Sequence, residues 1–298
     1  MEYKRNKGWL YLLPAGVFLG VFMVYPLIDV FIYSLEEGFN FASQTYTRVG
    51  LYNFSYVLHD PYFLQALKNT FILVIITVPL STGLALLISL ALSSIRKLKD
   101  LFQTVFFLPY VTNTLAVGLV FMILFKRTPY SDGLVNLVLS WFGMAPVDFI
   151  DGPYWAKMFV LCFYTVWIVM PFKILILTSA LASVNETYYN AARVDGTSKL
   201  RMFTRITLPL CKPMIVYQII TAFMGPWMDF IFAKIIVRAE PQYATVSIGM
   251  WKMLEMEYSG GWFTRFCAAA VLGSIPISIL FMITQKFYQE AMGGAVKG

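Results

Sequence analysis

Charged residues are scarce in this sequence. Asp, Glu, Lys and Arg make up 13% of its 298 residues, whereas soluble domains average roughly 25%. Hydrophobic residues make up 59%, above the roughly 45 to 50% that is usual in soluble domains. This composition excludes an ordinary water-soluble domain and indicates a protein that crosses a membrane several times.

The residues that most often catalyse reactions or bind metals are also few. The chain has one histidine and three cysteines, Cys162, Cys211 and Cys267, and their spacing is typical of neither a metal site nor a disulfide framework. It contains no H-E-x-x-H motif and no G-x-x-x-x-G-K-[ST] phosphate loop. We therefore expect no enzymatic activity, no metal and no bound cofactor in this chain.

Six apolar segments are long enough, or nearly so, to cross a bilayer as helices of about 20 residues. They cover residues 9–34, 69–93, 101–125, 157–182, 213–236 and 266–285. Several contain prolines, which membrane helices tolerate when neighbouring helices satisfy the freed carbonyl groups, so we expect kinks. The predicted fold class is an all-α membrane protein with six transmembrane helices in a single domain, residues 1–298.

The distribution of Lys and Arg predicts the orientation of these helices, because cytoplasmic loops carry an excess of basic residues. The formal net charge is +7, and placing the N-terminus inside puts most of it on the cytoplasmic side. Both termini are then cytoplasmic, and the outer loops cover about residues 35–68, 126–156 and 237–265. Topology and anionic lipids account for the basic charge, so we expect no nucleic-acid partner.

A charged segment, about residues 183–212, lies between the fourth and fifth apolar segments. Residues 186–194 favour a short helix, with Glu186 in the first turn where the helix dipole stabilises a carboxylate. Asp195 and Gly196 are typical of a turn that ends such a helix, and a second, basic helix follows. The segment is predicted to be a rigid helix-turn-helix that projects into the cytoplasm.

This segment resembles the EAA loop of bacterial ABC importer permeases. The residues that carry the resemblance are Glu186, Ala191, Ala192, Asp195, Gly196, Leu208 and Pro209. The resemblance implies a six-helix bundle of the type I ABC importer permease kind in the bacterial cytoplasmic membrane, with these residues coupling it to ATPase subunits. The two alanines are small enough to allow close approach of a partner surface.

The same resemblance implies several partners. They are a second permease subunit, two cytoplasmic ATPase subunits that bind ATP and Mg²⁺, and an extracytoplasmic substrate-binding protein. In this interpretation the chain forms half of the translocation path and leaves ATP hydrolysis to its partners.

Short motifs along the whole chain are similar to the carbohydrate permeases of the maltose type. They include Leu12–Ala15, Phe106–Tyr110 and the tail Gly294–Gly298. This similarity implies a carbohydrate substrate, in particular an oligosaccharide. The first half is similar to the substrate-contacting subunit of such transporters, but Gly225–Phe230 is similar to its paired subunit, so the sequence leaves open which subunit contacts the sugar.

The resemblance to maltose-type permeases also implies residues that line the substrate path. They are Tyr110 and Thr114 on the third helix, Thr165, Ile168 and Phe172 on the fourth, and Gly225 and Asp229 on the fifth. Asn113 and Trp227 are further candidates, Trp227 because its aromatic face can pack on the C–H surface of a sugar. A rise of 1.5 Å per residue along straight helices places Tyr110 roughly 14 Å and Thr114 roughly 20 Å from the inner end of the third helix.

Charged residues inside the predicted helices require separate interpretation. A carboxylate in a spanning helix is costly and usually faces a cavity or a partner, which favours a place for Asp229 in the path. Lys173 and Lys234 are expected nearer helix ends, where their ammonium groups can reach the interface.

Two alternatives remain at this point. ABC permeases for other solutes, such as polyamines or glycerol phosphate, share the EAA loop. An ion-coupled secondary transporter would instead use a buried carboxylate for coupling, and Asp229 is the candidate for that role.

Overall fold

The computed structural model describes residues 7–95, 99–238, 240–255 and 261–295. The outermost residues at both termini, including part of the tail motif Gly294–Gly298, lie outside these ranges.

Helices dominate this part of the chain. Their bounds are α1 Lys7–Leu19, α2 Tyr25–Leu35, α3 Tyr52–His59, α4 Pro61–Ser94, α5 Lys99–Phe107, α6 Thr114–Phe125, α7 Leu134–Trp141, α8 Tyr154–Ala182, α9 Glu186–Val194, α10 Lys199–Met202, α11 Leu208–Met228, α12 Ile231–Val237, α13 Val246–Glu255 and α14 Trp262–Ala295. Two short antiparallel hairpins pair β1 Glu36–Glu37 with β2 Arg48–Val49, and β3 Arg127–Thr128 with β4 Ser131–Asp132.

Five helical stretches in the described ranges are long and apolar enough to cross a membrane. They are Gly8–Leu35, Pro61–Ser94, Tyr154–Ala182, Lys199–Met228 and Trp262–Phe287. A sixth span results if the bent pair Thr104–Val111 and Thr114–Phe125 is taken as one. The predicted all-α membrane fold is confirmed. The second, fourth and sixth helices extend further toward their N-termini than predicted, because hydropathy detects only the apolar part of a helix.

The third apolar segment is not the single straight helix that the sequence predicted. The helix ends at Phe107, a 3₁₀ turn covers Leu108–Val111, and the chain then bends by 101° before α6 begins. Pro109 has no backbone N–H to continue an α-helix. Asn113 then caps α6, since its Oδ1 accepts hydrogen bonds from the amides of Leu115 (2.9 Å) and Ala116 (3.2 Å). The depths counted along a straight helix for Tyr110 and Thr114 therefore do not apply.

The fifth apolar segment is also broken. α11 ends at Met228, Asp229 and Phe230 are not helical, and α12 starts at Ile231. The predicted continuous helix over 213–236 was wrong, and Asp229 occupies the break between α11 and α12. By contrast, three other prolines lie within helices that continue past them, namely Pro79, Pro171 and Pro276.

Contacts divide the chain into two compact units, and the first consists of residues up to Leu64 with Gly249–Ile275. Its core packs Val57 and Phe63 against the small residues Ala268 and Ala269. Glu37 stabilises the β1–β2 hairpin by accepting hydrogen bonds from the Arg48 guanidinium and, at 2.8 Å, the Tyr52 amide. The Arg48 guanidinium, followed by that amide, lowers the pKa of the Glu37 carboxyl.

The second unit, Gln65–Ile248 with Pro276–Gly298, contains α6, α8 and α12 packed on one apolar cluster. Phe121 of α6 lies at its centre, with its ring edge-on to both Tyr164 (5.7 Å) and Phe232 (5.4 Å). Gly118 permits close approach of α12, since a Cβ there would lie 2.5 Å from the Cδ1 of Ile235.

A polar network in the second unit fixes the segment between α12 and α13. The Asn69 amide donates to the carbonyls of Gln242 (3.0 Å) and Ala244 (2.8 Å). The ammonium of the buried Lys157 contacts Glu240 (2.7 Å) and lies 4.1 Å from the centre of the Tyr243 ring. The segment 126–156, expected from the sequence to be an outer loop, contains the short helix α7.

The Asn113 cap at the bend is expected to contribute to the thermal stability of the protein. Asn113→Ala leaves two amides of α6 without their acceptor, which costs about 1 kcal/mol for a helix N-cap and lowers the midpoint of thermal unfolding in detergent. Asn113→Ser retains a side-chain oxygen at the cap and should stay close to the wild type. Equal melting of the alanine variant and the wild type would contradict a role of the cap in stabilising the bend.

Candidate coupling loop and substrate path

The segment between α8 and α11 starts with a capped helix. The Asn185 side chain accepts a hydrogen bond from the Thr187 amide at 2.9 Å, which satisfies one free N–H group at the start of α9. Glu186 lies in the first turn and is exposed. The predicted short helix over 186–194 is confirmed.

The end of α9 has the geometry of a Schellman cap. Gly196 has a φ of +68°, its amide donates to the Arg193 carbonyl (3.0 Å), and the Thr197 amide donates to the Ala192 carbonyl (2.9 Å). A Cβ at Gly196 would meet no atom within 4 Å. The left-handed backbone, rather than lack of space, is therefore what requires glycine at this turn.

The two alanines of α9 face opposite environments. Ala191 is exposed, whereas Ala192 is only 8% exposed and lies against this chain itself. The Tyr189 hydroxyl is 2.9 Å from the Thr207 hydroxyl, so the buried face of α9 is tied to the segment that leads into α11. Sequence reasoning assigned both alanines to a partner surface, but only Ala191 is accessible to one.

The second half of the segment continues into the membrane helix. α10 covers Lys199–Met202, a π-helical turn covers Phe203–Thr207, and α11 follows with Leu208 and Pro209 in its first turn. Val194 and Leu200 are 87% and 73% exposed, which is unusual for apolar side chains amid charged residues.

The bend before α6 places an aromatic ring against α8. The Tyr110 ring stacks on Phe172, with centroids 5.6 Å apart and planes 15° apart, and Phe172 in turn lies 6.4 Å from the Tyr217 ring of α11. Tyr110 is 50% exposed. Two predicted path residues from different helices, Tyr110 and Phe172, are thus brought together, with Tyr217 as a third ring that sequence reasoning did not single out.

A cavity of about 500 Å³ lies beside the bend. Its lining is mainly apolar and includes Phe107, Leu108, Val111 and Pro171. The ring of Phe107, which lines the cavity, lies 5.3 Å from the Tyr110 ring, so the cavity extends close to the stacked pair.

Polar side chains form a second group near the break between α11 and α12. The Tyr164 hydroxyl of α8 lies near the Thr114 hydroxyl and the Asp229 carboxylate. The Asp229 carboxylate faces the amides of Phe232 and Ala233 at the start of α12. Thr114 and Asp229 were predicted from the sequence, and Tyr164 was not, although it directly precedes the predicted Thr165.

The Asp229 backbone is stabilised from a separate segment. The Ser247 hydroxyl donates a 2.7 Å hydrogen bond to the Asp229 carbonyl, which has no helical partner at the break. Non-helical backbone at membrane depth is tolerated only where such groups find partners inside the protein.

The other predicted path residues have different surroundings, and three of them lie on packed faces. The Thr165 hydroxyl donates to the Leu161 carbonyl of its own helix (2.8 Å), and Ile168 packs against the apolar cluster. The buried Trp227 ring lies edge-on to Phe71 at 5.5 Å. Gly225 has open space where a Cβ would be, and the Asn113 side chain is used in the cap of α6.

Lys173 does not reach an interface, contrary to the expectation from the sequence. It lies roughly 14 Å from the end of α8 by helical rise and is 1% exposed. Its ammonium donates 2.7 Å hydrogen bonds to the hydroxyls of Ser81 and Thr82 on α4. The hydroxyl groups of α4 hold the side chain inside the protein. Lys234 lies on the short helix α12 and is partly buried.

Comparisons with known proteins agree with this architecture. Residues 81–293 match the family described as binding-protein-dependent transport system inner membrane component. The chain belongs to this family. It is therefore a membrane-spanning subunit of a transport system and not an enzyme.

Individual members of the family match most of the chain. The lactose transport system permease protein LacF of Rhizobium radiobacter is 32% identical, over 75% of this chain and 74% of the relative. The trehalose/maltose transport system permease protein MalF of Thermococcus litoralis is 29% identical, over 84% and 83%. A crystal structure of a bacterial ABC transporter that imports alginate contains a chain with the same fold, with a TM-score of 0.79, 19% identity and 96% coverage of each chain.

The Schellman cap at Gly196 allows a test of the coupling role that the sequence predicts for this segment, with a matched control. Gly196→Val forces a β-branched residue into the left-handed region, which displaces α10 relative to α9 and should uncouple ATP hydrolysis from transport. Gly196→Asn should retain most transport, because asparagine tolerates this backbone and a Cβ at this position meets no atom within 4 Å. Transport and ATP hydrolysis are measured in membranes with equal amounts of each variant. Full transport by Gly196→Val would contradict the role of the turn.

Proposed function

We propose that the chain is a permease subunit of an ATP-driven importer for an oligosaccharide and forms half of its translocation path. The stacked, half-exposed Tyr110 ring beside α8 carries this proposal. Sugars present C–H surfaces that pack on aromatic rings and hydroxyl groups that need hydrogen-bond partners. The relatives named for lactose, arabinooligosaccharide and trehalose or maltose transport support the same substrate class.

Hydroxyl recognition is assigned to Thr114, Tyr164 and Asp229. A carboxylate accepts several hydrogen bonds, while the two hydroxyl groups can both donate and accept. Such a group matches the alternating donors and acceptors of a saccharide. Thr165, Ile168 and Trp227 would support this path mainly through packing, Gly225 by leaving open space beside α11, and Asn113 through the cap of α6.

Other solute classes fit these residues less well. A polyamine carries several ammonium groups and would be matched by several carboxylates, whereas Asp229 is the acidic residue of this polar group. A glycerol phosphate would be matched by cationic groups, but the Lys173 ammonium is directed at two hydroxyl groups of α4. Membership of the transport family favours ATP-driven import over an ion-coupled mechanism.

The coupling loop is proposed to dock on a cytoplasmic ATPase subunit. Its outward face offers Glu186, Ala191, Asp195 and the exposed side chains of Val194 and Leu200. Two ATPase subunits would bind ATP and Mg²⁺, and a second permease subunit would complete the path. An extracytoplasmic binding protein would deliver the sugar, as the alginate transporter solved with its sugar-bound periplasmic protein illustrates for that system.

The charge distribution supports a bacterial cytoplasmic membrane location with both termini and the coupling loop inside. Single cysteines at Lys199 and Asp132, both exposed, test this orientation after the three native cysteines are replaced. An impermeant thiol reagent added to intact cells should label position 132 and leave position 199 unlabelled. Labelling at 199 without permeabilisation would overturn the orientation and the docking assignment.

The substrate path is tested by transport assays in proteoliposomes that contain the assembled transporter, with radiolabelled lactose, maltose, trehalose and arabinotriose as probes. Asp229→Ala should weaken uptake of the accepted sugar about ten- to hundredfold, the range for a lost hydrogen bond to a charged group. Tyr110→Ala should also weaken uptake, but less, because it removes an uncharged ring. Tyr110→Phe keeps the ring and should lose less than Tyr110→Ala.

Two controls define what would contradict this assignment. Tyr130→Ala removes a fully exposed tyrosine from an outer hairpin and should leave transport unchanged. Wild-type kinetics in Asp229→Ala and Tyr110→Ala would assign sugar contact to the partner subunit. Loss of the assembled complex in detergent would make Asp229 structural.

A further inference from the structure

Lys173 forms a buried anchor between α8 and α4. Its ammonium donates to the hydroxyls of Ser81 and Thr82, each at 2.7 Å. Both hydroxyls donate their own protons to the Val78 carbonyl, at 3.3 Å and 2.7 Å. Their free lone pairs therefore face the ammonium, and the side chain is held by two acceptors on one turn of α4.

Burying the Lys173 ammonium costs free energy, which suggests that it has a role beyond filling space. Removing an ammonium group from water and placing it in a spanning segment is unfavourable, and the groups that accept its hydrogen bonds on α4 are neutral hydroxyls rather than a carboxylate. A methionine of similar length would fill the same volume without this cost. The ammonium instead fixes where this part of α8 lies against α4, because its N–H groups must reach two hydroxyls on one turn of that helix.

The residues before Lys173 explain why α8 would need such a contact. Pro171 has no N–H group, so the helical hydrogen bond to the Trp167 carbonyl is missing and α8 is less constrained here. Phe172 follows directly, and its ring stacks on Tyr110. A small rotation of α8 about its axis at this level would move the Phe172 ring away from Tyr110.

We propose that Lys173 is a positioning residue. Its hydrogen bonds to Ser81 and Thr82 set the rotation of α8 on the C-terminal side of Pro171 and hold Phe172 against Tyr110. Its significance for sugar recognition rests on the proposed function of that aromatic pair. Lys173 itself does not contact the sugar, since its side chain is only 1% exposed.

The chain offers a matched control for this proposal. The fully buried Ser89 of α4 donates a 3.2 Å hydrogen bond to the carbonyl of Ile174, the residue after Lys173. Ser89→Ala thus removes a polar contact between the same two helices at an adjacent position, without removing a charge. Lys173→Met is a mild change as well, because Ser81 and Thr82 keep their bonds to Val78.

The geometry is tested directly by cross-linking. Cysteines are placed at Tyr110 and Phe172 of the assembled transporter, the native cysteines are replaced by alanine, and a short bifunctional thiosulfonate is the probe. Lys173→Met removes both hydrogen bonds to α4 and should slow cross-linking at least about tenfold, the factor for loss of a single charge-assisted hydrogen bond. Lys173→Arg should restore most of the rate, since a guanidinium can donate to both hydroxyls, and Ser89→Ala should leave it near the wild-type value.

Two results would overturn the positioning role. One is an unchanged cross-linking rate in Lys173→Met, and the other is an equal loss in Ser89→Ala, which would indicate ordinary helix packing.

Transport gives an independent readout in chains that retain Tyr110 and Phe172. Lys173→Met should raise the KM for the accepted sugar of the lactose, maltose, trehalose and arabinotriose panel, with basal ATP hydrolysis unchanged. Combining Lys173→Met with Phe172→Ala should add little to Phe172→Ala alone, because both changes act through one ring. Additive effects of the two changes would show that Lys173 does not act through the Phe172 ring. If Tyr110→Ala and Phe172→Ala leave transport unchanged, the proposed sugar path fails, whereas cross-linking still decides the role of Lys173.

Discussion

Satisfaction of backbone hydrogen bonds inside the membrane is the constraint on which the rest of this structure depends. A helix meets it automatically, so any interruption at membrane depth requires replacement partners. The two interruptions in the second unit both have them. At the first, Asn113 caps the amides of α6, and at the second the Ser247 hydroxyl reaches the Asp229 carbonyl. The positions where the helices are broken are also the positions where polar or half-exposed side chains gather, namely Tyr110 and Thr114 at one break and Asp229 at the other.

This constraint explains why the polar groups that could contact a solute are concentrated in so small a part of an apolar chain. An intact helix directs its carbonyl and amide groups along its own axis and offers only side chains to a passing solute. A break changes the direction of the chain and presents groups from two directions within a few residues. The 101° bend turns Tyr110 toward Phe172, and the end of α11 brings Asp229 near Tyr164. The packed helices around these points act as a rigid frame.

Much of the fold was predictable from the sequence, because apolar length and helix caps are local properties. The six apolar segments, the helix over 186–194 and the turn at Gly196 required only composition and propensity. The two breaks were not predicted, because each needs a polar side chain to satisfy backbone groups that cannot reach water inside a membrane. Asn113 does this at one break, and Ser247, which is distant in the sequence, does it at the other. The predicted position of Lys173 near a membrane interface was wrong for a related reason. Its burial depends on Ser81 and Thr82, which lie far away in the sequence and share no pattern with it.

The two faces of α9 limit how freely the coupling loop could be exchanged between transporters. Ala191 and Ala192 are neighbours in the sequence, yet one is exposed and the other packs within this chain. The Tyr189 hydroxyl is joined to Thr207, beyond both the turn and α10. A graft of α9 alone would therefore lose the surface that supports it. The smallest portable piece runs from the cap at Asn185 to Thr207, and its inner face would have to match the permease that receives it.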